Sequence, residues 1–288
     1  MSIKGRTMRL GSTTVSVSFL ALALFAGAAF ADDRDEVSEL ALGDSVVFGF
    51  ITQAGHAYVN PTNFIGYPAY VGFRERLDDV NAGCPGETSG SFLSATAPDN
   101  GCRAFRSAFP LHVAYSGTQL DFATSFLKHH RVRLVTIGIG ANDLFLLEAS
   151  CATNPNPPAC IQAGLPAALG TIEQNMVQIL TAIRSAGYGG EIIVVNYYSL
   201  DYSDPSGTQI TQLLNQAISA PANAFGAGVA DVFTAFQKVV SNPLIAGKTC
   251  NAGLLNVDPQ DQTQCDVHPS QSGQRLIAET VAHVRKGW

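Results

Sequence analysis

Apolar residues along this chain recur in two rhythms, and the alternation of the two predicts its fold class. Glu39 to Val46 reads as a first strand built on the apolar run Leu40-Ala41-Leu42. Tyr70 to Val80 carries Tyr70, Phe73, Leu77 and Val80 at helical spacing, with Arg74, Glu75 and Arg76 turned outward. The stretch from Asn81 to Leu111 is rich in Gly, Ser, Pro and Ala and reads as one long loop. Thr118 to Lys128 is a helix, with Ser116 as its candidate cap. Val132 to Ile137 is almost wholly apolar, as strands buried on both faces of a parallel sheet are. Thr171 to Ala186 places Ile172, Met176, Ile179, Leu180 and Ile183 on one helical stripe, stopped by Gly187-Tyr-Gly-Gly190. A second buried strand follows at Glu191 to Asn196, then a helix from Thr208 to Phe225 interrupted at Pro221. Gly228 to Phe233 is a short strand and Ser270 to Arg285 a closing amphipathic helix. Strands alternating with helices predict an α/β fold, a three-layer α/β/α sandwich around a parallel central sheet.

The first residues stand apart from that rhythm. Lys4, Arg6 and Arg9 form a basic start, Val15 to Phe30 is apolar, and Ala29-Phe30-Ala31 supplies small residues where a signal peptidase reads. The apolar run is shorter than the about 20 residues a spanning helix needs. We therefore expect a signal peptide over residues 1–31, cleavage after Ala31, and a single domain over residues 32–288, secreted or periplasmic and with no stable membrane insertion. Removing three of the 17 basic residues and none of the 23 acidic ones leaves 14 − 23 = −9. No basic cluster remains to hold nucleic acid or an anionic membrane.

Six cysteines in an exported chain read as three disulfides, and spacing suggests neighbours: Cys84–Cys102, Cys151–Cys160 and Cys250–Cys265. Metal binding is the rival reading, but no CxxC occurs and no His is interleaved with Cys. We expect no metal and no cofactor. Gly138-Ile-Gly140 after a strand invites a dinucleotide reading, yet the third glycine of that fingerprint falls on Asp143, an acid where a pyrophosphate must sit.

Three short blocks carry the candidate chemistry. Gly43-Asp44-Ser45 ends the first strand in a glycine turn that would hold a serine clear of the sheet. Gly140-Ala-Asn142-Asp143 follows the second strand, and Asp266-Val-His268-Pro269 precedes the last helix. In open parallel sheets such strand ends converge on one site. A serine hydroxyl becomes an effective nucleophile when an imidazole accepts its proton, and the oxyanion it creates needs placed donors. In their order these blocks resemble those of the SGNH (GDSL) hydrolases. The resemblance implies a flavodoxin-like sandwich and a secreted serine esterase, lipase or lysophospholipase that needs no cofactor. It further implies Ser45 as nucleophile and oxyanion donor, His268 as base, and Gly117 and Asn142 as the other oxyanion donors.

The chain departs from the family pattern in two places. Val46 stands where the family name implies leucine. The aspartate usual three residues before the histidine is replaced by Cys265, while Asp266 lies two before it. Either Asp266 reaches the imidazole as a triad, or the Cys265 backbone carbonyl orients the ring in a dyad. The shifted spacing favours the dyad, with Asp266 kept as a site candidate. The segments Val46 to Phe50 and Leu144 to Leu147 read as core packing before acyl pocket, and the Cys151–Cys160 loop as a border of the cleft. His129-His130 suit a helix end, whereas His56, His112 and His283 lack partners at a telling spacing. The expected partner is a small-molecule or lipid ester bound by a monomer. Two alternatives stay open: a carbohydrate O-deacetylase, for which the single Trp288 is thin support, and a non-catalytic secreted binding module.

Overall fold

The computed structural model describes residues 37–285. The expected signal peptide, its cleavage point and Trp288 lie outside them. The fold begins with β1 (Ser38–Gly43), a strand whose alternate side chains serve two cores. Leu40 and Leu42 join one, and Ala41 joins the other. The same division runs through β3 (Val132–Gly138) and β4 (Glu191–Val195). Val135, Ile137, Ile192 and Val194 face the first core, and Leu134, Ile193 and Val195 the second. Together with β2 (Asp78–Asn81) and β5 (Gly228–Ala230) they form one sheet in the order β2-β1-β3-β4-β5, every neighbouring pair parallel.

Helices cover both faces, as a sheet with two apolar faces requires. Helices α5 (Gln119–His129), α7 (Pro157–Ser185) and α8 (Pro205–Ala224) supply Ala123, Ile172, Met176, Leu180, Leu214 and Ile218 to the first core. Helices α2 (Tyr67–Glu75), α9 (Val232–Val240) and α10 (Gln271–Val284) supply Val71, Phe236, Ile277 and Val281 to the second. The expected three-layer sandwich is thus the observed one. No helix among the described residues is long and apolar enough to cross a membrane.

Several boundaries differ from the sequence reading. β1 stops at Gly43 and the chain enters a one-turn helix, α1 (Ser45–Phe48), where a strand to Val46 was expected. Helix α2 ends at Glu75, and Val80 belongs to β2 rather than to the helix. Asn81 to Leu111 is not all loop. It holds α3 (Ser89–Leu93), capped by Thr88, and α4 (Cys102–Ala108). Helix α5 is capped by Thr118, not Ser116, in a reciprocal bond with Asp121. Helix α7 starts fourteen residues before Thr171, at Pro157, where proline costs no hydrogen bond because a first-turn N–H has no partner to lose. Helix α8 continues through Pro221. A two-stranded antiparallel ribbon, β6 (Leu255–Val257) with β7 (Cys265–Pro269), precedes α10.

Candidate active site

The turn that presents Ser45 depends on Gly43. Its φ is +140°, and a Cβ there would lie 1.9 Å from the Gly138 carbonyl oxygen, so β1 and β3 close at this point only around glycine. The Gln119 side chain clamps the turn from the first helical layer. Its Oε1 accepts from the Gly43 N–H, and its Nε2 donates to the Gly43 carbonyl at 3.0 Å. Asp44 caps α1 by accepting from the Val46 N–H at 2.9 Å and takes the Tyr197 hydroxyl at 2.6 Å. Burial pushes its carboxyl up to about 6 against those two bonds. The carbonyls of the short helix are also met: Gln274 Nε2 donates to Val46 at 3.0 Å and Asn81 Nδ2 to Val47 at 2.7 Å. Ser45 therefore sits on backbone tied to α5, α10, β2 and the loop after β4.

His268 arrives on β7, from a different part of the chain. Ser45 Oγ lies 3.0 Å from His268 Nε2, and His268 Nδ1 lies 2.8 and 2.9 Å from the two Asp266 oxygens. The expectation that a backbone carbonyl would orient the ring is corrected here. Asp266 occupies the Nδ1 side because both residues project from the same strand face, two positions apart. Burial pushes the Asp266 carboxyl up, but the hydrogen bond and charge of His268 and the donors of Thr52 outweigh it and hold the group near 2. Thr52 contributes its N–H to Asp266 Oδ2 at 3.1 Å and its hydroxyl 3.3 Å from His268 Nδ1. Tyr198 donates to the Val267 carbonyl at 2.7 Å, and Phe50 meets the His268 ring edge-on at 5.1 Å. Cys250–Cys265 closes the loop beneath.

Asn142 opens α6 (Ala141–Cys151) at the end of β3 and is 5% exposed. Its Oδ1 accepts from Asn100 Nδ2 at 2.9 Å, which leaves its own amide N–H groups for the cleft. Gly117 is not brought to this site. It is exposed at the entry to α5, its carbonyl takes Arg106, and no hydrogen bond joins it to Ser45, Asn142 or His268 among the described residues. Gly86 is the glycine that is brought near. It lies in the loop after β2 with φ +87°, and its carbonyl accepts from the N–H of Asn100, the residue that also holds Asn142. Its own N–H has no partner among the described residues. Gly86 follows β2, a strand that the helical spacing of Tyr70 to Val80 conceals in the sequence. Thr52 and Asn100 were also missed, and an isolated Thr or Asn in a loop gives no pattern to find them by.

Beside the serine opens a cleft of about 280 Å³. Ala141, Leu144, Phe145 and Glu148 form one helical stripe of α6 along it, and Leu200, Ile210 and Leu214 line the opposite wall. Leu144 and Phe145 thus face the cleft, whereas Phe48 is core. All three disulfides pair as expected. Cys151–Cys160, however, joins the far end of α6 to the start of α7 and does not line the cleft; the segment from Tyr197 to Thr211 does. His112 proves partnered, its Nε2 3.0 Å from the Phe48 carbonyl. Cys84, Glu87 and Cys102 are the one grouping of metal-type donors among the described residues, and their cysteines are spent in a disulfide. A disulfide sulfur is no thiolate, so the group suits no metal.

A parallel α/β sheet whose carboxyl edge presents a serine in hydrogen-bonded line with an imidazole and a carboxylate from a flanking ribbon has the arrangement of the serine-hydrolase class. The chain belongs to the GDSL-like Lipase/Acylhydrolase family, whose model matches residues 41–276. Among solved structures, phospholipase A1 from Streptomyces albidoflavus aligns over 87% of this chain and 100% of its own, with 16% identity and a TM-score of 0.56. The extracellular lipase of Streptomyces rimosus aligns over 86% and 100%, with 21% identity and a TM-score of 0.53. A variant of an acetyl-xylooligosaccharide esterase from Geobacillus aligns over 88% and 98%, with 15% identity and a TM-score of 0.52. At such identities the likeness is one of fold. No curated protein matches in sequence.

Proposed function

We propose that this protein is an exported carboxylic ester hydrolase that works through an acyl-enzyme on Ser45. The observation that carries the reading is the unbroken line Ser45 Oγ, His268, Asp266, with 3.0 and 2.8 Å links. In that line Ser45 attacks the ester carbonyl carbon while its proton passes to His268 Nε2. Asp266 holds the ring with Nδ1–H toward itself and stabilises the imidazolium. The negative oxygen meets the Ser45 N–H, the Asn142 amide and, in place of Gly117, the Gly86 N–H, each donor worth about 3–4 kcal/mol. Collapse expels the alcohol, which takes the proton from His268. Water then repeats the sequence on the acyl-enzyme and frees the acid and Ser45.

The apolar walls around Leu144, Phe145, Ile210 and Leu214 favour an acyl chain over a bare acetyl group as the occupant of the cleft. That places fatty-acyl esters ahead of acetylated sugars. Three disulfides suit an oxidising compartment and support export. The test is hydrolysis of p-nitrophenyl esters of graded chain length, with Ser45→Ala as control. We expect turnover that rises with chain length beyond acetyl and disappears in the variant. A folded protein that neither turns over any ester nor reacts with a fluorophosphonate probe would leave the binding-module reading in its place.

A further inference from the structure

Between Ser45 and Phe73 the chain contains no Lys, Arg, Asp or Glu. This is not a buried stretch: every residue from Ile51 to Asn63 is exposed or half-exposed. Water-facing segments of such length ordinarily carry charge, and an uncharged one with protruding aliphatics marks a surface that meets something apolar.

The packing within the segment gathers those aliphatics. Phe50, Tyr58 and Phe64 stack with centroids 5.4, 5.4 and 6.4 Å apart and ring planes within 17° of parallel. The residue after each is aliphatic and solvent-facing: Ile51 at 37%, Val59 at 56% and Ile65 at 41% exposure. The stack draws three points of the chain together, so these three side chains share one region of surface. Core packing explains the rings, which close over Phe48 near the Cys84–Cys102 bridge. It does not explain the exposed aliphatics. The region adjoins the site, since Thr52, next to Ile51, donates to Asp266. Phe145 at 36% and Leu200 at 44% exposure stand on the cleft's own walls. Exposed apolar residues therefore border both the Thr52 side of the triad and the cleft.

We propose that this face docks the protein on a zwitterionic lipid bilayer and holds the mouth of the Ser45–His268 cleft against it. The proposal rests on the ester-hydrolase reading and deepens it by naming where the ester lies. Charge decides between bilayers. The docking segment has no cation to bind lipid phosphate, the chain is net negative at −6, and Glu148, Asp201 and Asp204 line the cleft. An anionic surface would be repelled.

The test is co-sedimentation of the Ser45→Ala protein with phosphatidylcholine vesicles and, separately, phosphatidylglycerol vesicles. We expect binding to the first and weaker binding to the second. Adding Val59→Asp with Ile65→Asp should weaken it about tenfold or more, since two aliphatic burials are lost. Leu244→Asp, at a site 92% exposed in another part of the chain, should change nothing. The same substitutions in the Ser45 protein should leave hydrolysis of soluble p-nitrophenyl butyrate intact, and Val59→Ser with Ile65→Ser gives a milder second pair. Undiminished binding by either pair, preference for phosphatidylglycerol, or a concentration-dependent dimer that the pairs dissociate would overturn the proposal. So would absence of vesicle binding in a protein that turns over the soluble ester. Failure of that turnover in the parent protein would instead count against the hydrolase reading.

Discussion

The two halves of the site are held in opposite ways. Ser45 and Asn142 stand at the ends of neighbouring central strands, β1 and β3, where backbone hydrogen bonds and both cores fix every position. His268 and Asp266 stand on a two-stranded ribbon outside the sheet, placed by a disulfide, the Tyr198 hydroxyl and Thr52. The serine arm is positioned by architecture and the histidine arm by cross-links. The electrostatics divide along the same line. Asp44, 1% exposed on the serine arm, is raised to about 6, whereas Asp266 on the histidine arm is held near 2. One carboxyl is shaped by burial, the other by its donors.

The contrast can be broken first at Gly43. Gly43→Ala puts a methyl group 1.9 Å from the Gly138 carbonyl, and we expect more than about 4 kcal/mol of destabilisation, read as loss of folded protein in denaturant titration. On the histidine arm the corresponding change acts on chemistry rather than folding. Asp266→Asn should lower kcat by about 10³–10⁴-fold with a folded protein by circular dichroism, because the ring loses its tautomer and counter-charge. A drop of less than tenfold would restore a dyad held by a backbone carbonyl.

The disulfides sharpen the comparison further. Replacing Cys250 and Cys265 by serine opens a loop of sequence separation 15 and should cost about 3 kcal/mol, with kcat reduced as the histidine loosens. Replacing Cys151 and Cys160 should lower the Tm yet leave kcat unchanged, since that bridge does not line the cleft. The smallest effect is the pH dependence of stability. The native state holds the Asp44 proton longer than the unfolded chain, so that stability is complete below about pH 4 and lost as pH rises through 6. Asp266 is the reverse: its contribution is present above about pH 4 and lost as pH falls towards 2. Tm against pH for Asp44→Asn and Asp266→Asn should therefore flatten opposite limbs.

The strands buried on both faces were legible because they need near-continuous apolar runs, as in Val132 to Ile137. β2 was not. As an edge strand with one partner it tolerates Asp78 and Asp79 at the surface, and helical spacing from α2 ran into it unbroken. The start of α7 escaped notice because Pro, Gly and Ala from Pro157 to Gly170 offer no amphipathic stripe. Cysteine spacing pointed to the three bridges but not to the border of the cleft, which none of the six cysteines lines.

By itself the sequence determined the layers, the three bridges and the choice of Ser45, Asn142 and His268 as candidates, because each leaves a local mark: a run, a spacing, a residue type at a strand end. Only the tertiary structure decided that Thr52 supports Asp266, that Asn100 joins Gly86 to Asn142, and that the rings of Phe50, Tyr58 and Phe64 stack beside the site. Those are contacts between segments as far as 214 residues apart, as with Thr52 and Asp266. They depend on how the sheet, the ribbon and the loops pack, and no local pattern records them.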